Sequence, residues 1–189
     1  MRSSYIQNNY GDVFFAIIRA FQPINCVEIG VLDGYSTMHI ARGLEANKRG
    51  ELTAIDLFEE YKFNHGNVSE VKEQLDEYGL LQYVKLRQDD AFIAHNSFEP
   101  GTVDFLHVDL SNTGATVAHI MSHWDEKMVQ GGVICFEGGT EERDNIDWML
   151  KYNMPSIKKA LDTNEIIIKN YVFGTYLKFP GLTMLIKKR

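Results

Sequence analysis

A buried strand that breaks into a glycine turn and then a helix is the feature that most constrains this chain. The segment runs Cys-Val-Glu-Ile-Gly-Val-Leu-Asp-Gly-Tyr-Ser over residues 26–36. Val27 and Ile29 are β-branched and apolar, which favours a strand, whereas Met38 and Ala41 recur at helical spacing just beyond the turn. The segment therefore predicts an α/β protein in which a helix N-terminus follows the end of a strand.

The spacing of the glycines limits what this turn can bind. Gly30 and Gly34 allow positive φ and let a ligand approach main-chain atoms without meeting a Cβ. The spacing is Gly-x-x-x-Gly, unlike the Gly-x-Gly-x-x-Gly that binds a dinucleotide pyrophosphate. Glu28, two residues upstream, would repel a phosphate but can accept hydrogen bonds from amines or hydroxyls. We expect a cationic or neutral ligand here.

Acidic residues stand at the ends of the other predicted strands. The strand over 52–56 ends in Asp56, at the distance along the chain where a carboxylate can accept both hydroxyls of a ribose. A helix cap or a solvated loop acid is the alternative for that residue. Asp90 follows the third predicted strand, within the segment 83–92, while Asp109 ends the fourth, 103–109, and Glu137 ends the fifth, 132–137. Because ligands of parallel sheets bind beyond the carboxyl ends of the strands, we expect these acids along one edge.

The alternation of strands and helices predicts the fold class. It is typical of a doubly wound, mostly parallel sheet with helices on both faces. The last β-rich runs, at 165–172, 174–177 and 182–186, have no helix-length gap between them. They predict an antiparallel hairpin at the C-terminal edge of the sheet.

The pattern Glu-x-Gly-x-x-x-Gly-x-Ser over residues 28–36 resembles motif I of the class I S-adenosylmethionine-dependent methyltransferases. The resemblance covers nearly the whole chain and implies the Rossmann-like fold of that family, with S-adenosylmethionine as cofactor. Asp90 and Ala91 match the family's segment beside the adenine, although its glycine is Asp89 here. The cofactor-binding residues that the resemblance implies are Glu28, Gly30, Gly34, Ser36, Asp56, Asp90 and Ala91.

Methyl transfer needs an acceptor atom aligned with the methyl group and a group that removes the acceptor's proton. His107 and Asp109 have the same parity on the fourth predicted strand, so both are candidate catalytic residues. A core histidine is the alternative for His107, and Asp109 lies nearer the strand end. We expect the acceptor to be an oxygen of a small molecule such as a sugar, polyketide or phenol.

The sequence also resembles the macrocin and catechol O-methyltransferase groups, in which an aspartate at the position of Asp109 binds magnesium. It departs from them at the end of the fifth strand, where Glu137 replaces an Asp-Asp or Asp-Asn pair, and at Asn112, where catechol-type enzymes carry a lysine. Mg2+ could still be held by Asp109 and Glu137, with Glu141 or Glu142 and waters.

Composition bears on domains and partners. The chain has 189 residues, 44% of them hydrophobic, and a formal net charge of −7. We expect a single methyltransferase domain over 1–189, with 1–22 as a helical lid segment whose Tyr5 and Tyr10 contact cofactor or substrate. The acidic balance argues against nucleic acid, and the lack of a long apolar run or signal pattern argues against a membrane and for a cytoplasmic protein. A homo-oligomer stays open.

Two alternatives from other functional classes stay open at this point. One is a non-catalytic cofactor-binding or interaction protein with a methyltransferase fold, which the altered metal pair favours. The other is a nicotinamide-dependent oxidoreductase, which the glycine spacing disfavours.

Overall fold

The computed structural model describes all residues, 1–189, and alternates strands with helices along most of the chain. The strands are β1 (Asn25–Ile29), β2 (Glu51–Asp56), β3 (Val84–Gln88), β4 (Val103–Val108), β5 (Met128–Glu137), β6 (Tyr171–Tyr176) and β7 (Leu182–Lys187). The α-helices are α1 (Tyr10–Phe21), α2 (Tyr35–Asn47), α3 (Val68–Glu77), α4 (Gly114–Trp124), α5 (Glu141–Asp144), α6 (Asp147–Lys151), α7 (Ile157–Thr163) and α8 (Glu165–Asn170).

The sheet has the predicted class. Its strands follow the order β3-β2-β1-β4-β5-β7-β6. The β1–β2, β2–β3 and β4–β5 pairs are parallel, whereas β7 is antiparallel to both β5 and β6. The prediction of a doubly wound, mostly parallel α/β fold with an antiparallel C-terminal pair is confirmed.

The chain consists of two compact units, Met1–Ala94 and His95–Arg189. In the first unit, α1 packs on α2, and its buried stripe includes Phe14 and Ile18. A Cβ at Gly43 of α2 would lie 2.6 Å from the Cβ of Ile18, so glycine at that position allows the two helices to approach.

The second unit is built around β5. Residues 133–137 of this strand are all buried, as expected for a strand covered on both faces. Thr113 begins α4 with a capping box that it shares with Thr116, and the helix buries Trp124 at its other end.

One boundary near the C-terminus differs from the prediction. The apolar run 166–168 was expected in a strand, but it lies in α8, and β6 begins at Tyr171. The reason is local: Asn164 Oδ1 accepts hydrogen bonds from the backbone amides of Ile166 and Ile167, at 3.0 and 3.1 Å. This cap satisfies amides at the helix start and so favours one short helical stretch over an early strand.

Each helix falls short of the length and apolarity that crossing a bilayer requires. Cys26 in β1 and Cys135 in β5 are both buried with free thiols. Burial in the strand raises the pKa of the Cys135 thiol.

Candidate functional site

The glycine turn after β1 contains three residues in the left-handed region. Gly30 has φ 89°, Leu32 has φ 51° and Gly34 has φ 82°. The amide of Gly34 donates to the carbonyl of Val31 at 2.9 Å, which closes the turn just before α2 begins at Tyr35. The glycines were predicted, whereas the strained backbone of Leu32 has no sequence signal, because non-glycine residues rarely adopt positive φ.

Asp56 holds this turn in place. Its Oδ2 accepts hydrogen bonds from the amides of Val31 and Leu32, at 2.7 and 3.1 Å, and its Oδ1 accepts one from the amide of Phe58, at 2.8 Å. A carboxylate has about four lone-pair sites, so three of them are used here. The side chain therefore braces the turn and keeps acceptor capacity on Oδ1.

Glu28 is buried beneath the turn. It is 0% exposed, and its Oε2 accepts a hydrogen bond from the hydroxyl of Thr37 at 2.5 Å. Ser36 and Thr37, in the first turn of α2, are buried as well. In this conformation the Glu28 carboxylate ties β1 to the start of α2 and has no exposed surface for a ligand.

An N-terminal arginine, which the sequence interpretation missed, contacts the same turn. Arg2 donates its backbone amide, Nε and Nη2 to the carboxylate of Asp33, at 2.6 to 3.0 Å. Its guanidinium also donates to the side chain of Asn64 and to the carbonyl of His65. These hydrogen bonds hold the pKa of Asp33 below its ordinary value. Arg2 thus joins the chain start, the glycine turn and the loop at 61–67.

The tyrosines of the N-terminal segment lie in the core. Tyr5 and Tyr10 are each 0% exposed, and the Tyr5 ring lies 5.2 Å from that of Tyr10 and 5.1 Å from that of Phe14. The expectation that these rings contact a ligand does not match their burial.

The loop at 61–67 also packs tightly against the glycine turn. Gly66 in this loop lies so close to the backbone of Leu32 that a Cβ on Gly66 would overlap it.

The acids after β3 shape the next loop. Asp89 forms an ion pair with Arg87, and this contact holds the pKa of Asp89 below its ordinary value. Asp90 accepts the amide of Phe92 on its Oδ1 at 2.9 Å, and Ala91 beside it is 6% exposed. These residues follow the end of β3, as Asp56 ends the neighbouring β2.

The two candidate catalytic residues of the second unit differ in burial. His107 is 0% exposed inside β4, where it is paired in register with Cys135 of β5. Asp109 comes directly after β4 and is half-buried. Of the two, only Asp109 presents surface that an acceptor molecule can reach in this conformation.

Glu137 ends β5 in a buried ion pair. Its Oε1 accepts from Nε of Arg143 at 2.8 Å, and the two side chains are only 5% and 6% exposed. Burial raises the pKa of Glu137, and the hydrogen bond from Arg143 opposes that rise. The guanidinium carbon lies 5.3 Å from the ring centre of Trp148, within cation–π range.

Asn112 connects the ends of β4 and β5. Its Nδ2 donates to the carbonyls of Val108 and Glu137, each at 3.0 Å, and the residue is fully buried. The side chain that stands in place of the lysine of catechol-type enzymes is therefore a structural tie between two strands.

Comparisons with known proteins agree with this geometry. The model of a family described as "Methyltransferase domain" matches residues 27–137, which is more than half of the chain and includes the glycine turn, Asp56 and Glu137. The chain belongs to this methyltransferase family. The prediction of a methyltransferase is confirmed, and the nicotinamide-dependent alternative falls away.

Solved structures of methyltransferases share the fold at low sequence identity. An O-methyltransferase from Bacillus cereus, solved with SAH, has a TM-score of 0.75 at 19% identity, over 99% of this chain and 84% of that one. TomG from Streptomyces achromogenes, an O-methyltransferase of tomaymycin synthesis solved with SAM, has a TM-score of 0.71 at 18% identity, over 100% and 82%. SAH-bound PaMTH1 from Podospora anserina has a TM-score of 0.70 at 18% identity, over 100% and 80%. No curated protein matches the sequence.

The magnesium pair that the resemblance implied does not fit this member of the family. The carboxylate of Glu137 is already bound by Arg143, and Glu141 and Glu142 are exposed on α5. The chain contains no group of three or more His, Cys, Asp or Glu side chains with the geometry to hold a metal ion. The residues at the predicted metal site, Asp109 and Glu137, therefore give no support for a bound metal, and the residue that pairs with Glu137, Arg143, carried no recognisable signal in the sequence.

Proposed function

We propose that this methyltransferase transfers the methyl group of S-adenosylmethionine to an oxygen of a small molecule. The observation that carries the proposal is the glycine turn after β1, held by Asp56 and surrounded by acidic side chains. Two basic side chains of this unit, Arg2 and Arg87, are paired with the acids Asp33 and Asp89. Such a setting suits a sulfonium nucleoside better than a phosphate.

The turn residues have roles that follow from their positions. Gly30, Gly34 and Ser36 are proposed to line the methionine part of the cofactor, since glycine lets a ligand approach the backbone closely. Asp56 is proposed to accept a ribose hydroxyl on Oδ1, which has one lone pair beyond its bond to Phe58. These assignments leave the hydrogen bonds from Val31 and Leu32 to Asp56 Oδ2 unchanged.

Other cofactor assignments have weaker geometric support. Asp90 and Ala91 are proposed beside the adenine because they follow β3 directly, next to the end of β2. Glu28 is proposed to act through Thr37 and the first turn of α2, since its carboxylate is fully buried. The segment 1–22 is proposed as a lid because Arg2 bonds to the turn itself.

The cofactor supplies an activated methyl group, so the protein's task is to orient the acceptor and take its proton. Asp109 is the proposed proton acceptor, because it is half-buried at the end of β4 whereas His107 is enclosed within the strand. Structural neighbours described as O-methyltransferases, from Bacillus cereus and Streptomyces achromogenes, support oxygen as the acceptor atom.

Calorimetric titration with S-adenosylmethionine and S-adenosylhomocysteine tests the cofactor assignment. We expect one site per chain, with about tenfold weaker binding in Asp90→Asn, because the amide can still cap Phe92 but loses the negative charge. Asp76→Asn, the same change at an exposed site on α3, is the matched control. If the wild-type protein binds neither ligand, the proposed function is wrong.

Turnover tests the acceptor class. Labelled methyl transfer would be measured with phenols, sugars and hydroxylated polyketides, and we expect the product to be an ether in at least one class. Cofactor binding with no transfer to any oxygen or nitrogen acceptor would instead favour the non-catalytic alternative.

A further inference from the structure

The end of β5 carries a cation that belongs to the protein itself. We propose that the guanidinium of Arg143 is a built-in cation at the carboxyl end of β5, and that the methyl transfer proposed above therefore needs no divalent metal there. This inference rests on the proposed function, because the reaction that needs no metal is the proposed methyl transfer. The position of the guanidinium does not depend on it, since the structure gives that position directly.

The ion pair is held from several sides. Thr140 Oγ1 caps α5 by accepting a hydrogen bond from the amide of Arg143 at 3.1 Å, which fixes the backbone of Arg143 in the first turn of that helix. Trp148 covers one face of the guanidinium. A Cβ on Gly138 would lie 3.3 Å from Cγ of Arg143, so glycine at this position, with φ 106°, lets the arginine stem lie against the strand end. These contacts leave the cation little freedom.

The donor set then argues against a metal. A hard cation needs carboxylate oxygens that are free to coordinate and room for several waters. Glu137 Oε1 already accepts a hydrogen bond from Arg143, and the two side chains are only 5% and 6% exposed. The guanidinium also supplies a positive charge at this position. A divalent ion at Glu137 would lie against that guanidinium, and like charges repel strongly where water is excluded. Arg143 and a metal are therefore alternatives at this position.

Unused hydrogen-bonding capacity remains beside the pair. Glu137 Oε2 and Arg143 Nη1 are both buried without a hydrogen-bond partner. Val108 is paired in register with Phe136, and Asp109 and Glu137 are the residues that follow these two in the sequence. Removing the arginine would thus leave the Glu137 carboxylate buried without a cation, so that an added cation can take the place of the guanidinium.

Electron paramagnetic resonance of Mn2+, a spectroscopic substitute for Mg2+, tests the proposal without requiring activity. We expect wild-type protein and Glu137→Gln to leave millimolar Mn2+ equally free. Wild-type protein that binds one equivalent of Mn2+, released by Glu137→Gln, would overturn the proposal. This arm uses proteins with Arg143 intact, so it decides the question even if other variants do not fold.

The charge-removal variant provides the second arm. In Arg143→Met we expect Mn2+ to raise the thermal midpoint by about 3 °C, the shift expected from ligand concentrations several times Kd in a chain of this size. The double variant Glu137→Gln, Arg143→Met should not respond, because it lacks the carboxylate. A folded Arg143→Met that ignores Mn2+ would show that this position does not take a cation, and would refute the proposal.

A third arm separates this inference from the proposed function. If an acceptor is found, we expect the wild-type rate to change less than about twofold after chelation with EDTA, because no step depends on a metal. A rate lost with EDTA and restored by Mg2+ would refute the inference while supporting methyl transfer. If no transfer occurs at all, the proposed function fails, and the Mn2+ measurements still decide the role of Arg143.

Discussion

Replacing Asp56 with asparagine should both loosen the glycine turn and weaken cofactor binding. The carboxylate accepts three backbone amides, two on Oδ2 and one on Oδ1. Asparagine has a single acceptor oxygen, so its NH2 group must face either the amide of Phe58 or those of Val31 and Leu32. A donor then opposes a donor, and at least one backbone amide loses its partner.

The magnitude follows from the number of bonds lost. Hydrogen bonds to a charged group are each worth about 1.5 to 3 kcal/mol, and Asp56 is only partly buried, so water can replace part of a lost bond. With the amide oxygen toward Val31 and Leu32, one charge-assisted bond is lost and two are weakened. We therefore expect the free energy of unfolding to fall by about 2 to 3 kcal/mol.

Urea denaturation followed by circular dichroism measures this loss, and calorimetry with S-adenosylhomocysteine measures binding. We expect affinity to fall about tenfold or more, equivalent to about 1.4 kcal/mol, because the turn and one ribose contact are both affected. Asp76→Asn should change the free energy of unfolding by less than about 0.5 kcal/mol, as is usual at an exposed site. If Asp56→Asn unfolds like this control, the three hydrogen bonds do not brace the turn and the reasoning is refuted.

Two further predictions concern the same turn. Arg2→Ala should lower the free energy of unfolding at neutral pH, and the difference from wild type should shrink as the pH falls below about 4. The reason is that Arg2 lowers the pKa of Asp33, so their contact stabilises the folded state only while this carboxyl is ionised. Urea denaturation at several pH values measures the difference, and a difference that does not change with pH would contradict this role. Gly66→Ala should lower the free energy of unfolding by about 2 kcal/mol or more, because the added Cβ would overlap the backbone of Leu32. Gly174→Ala is the control, since a Cβ there would meet nothing within 4 Å. Equal thermal midpoints for the two variants would show that the loop accommodates the Cβ without strain.

Much of the architecture could be predicted because it depends on local pattern. Apolar β-branched runs and glycine spacing identified β1, the turn and α2, and the acids at strand ends followed from the alternation of elements. The exception, residues 165–170, shows the limit of that method. A β-rich composition favoured a strand there, but the side chain of Asn164 caps the amides of Ile166 and Ile167, and hydrogen-bond geometry outweighs propensity in so short a segment.

The amino-acid sequence by itself determined the fold class, the glycine turn and the methyltransferase assignment, because these follow from periodicity and from a motif contained within a few neighbouring residues. Tertiary structure decided how the acids are used. Asp56 braces the turn, Glu28 is buried beneath it, and Glu137 is paired with Arg143. A carboxylate's role depends on which donors surround it in space, and partners such as Arg2 for Asp33, 31 residues apart, are set only when the chain folds.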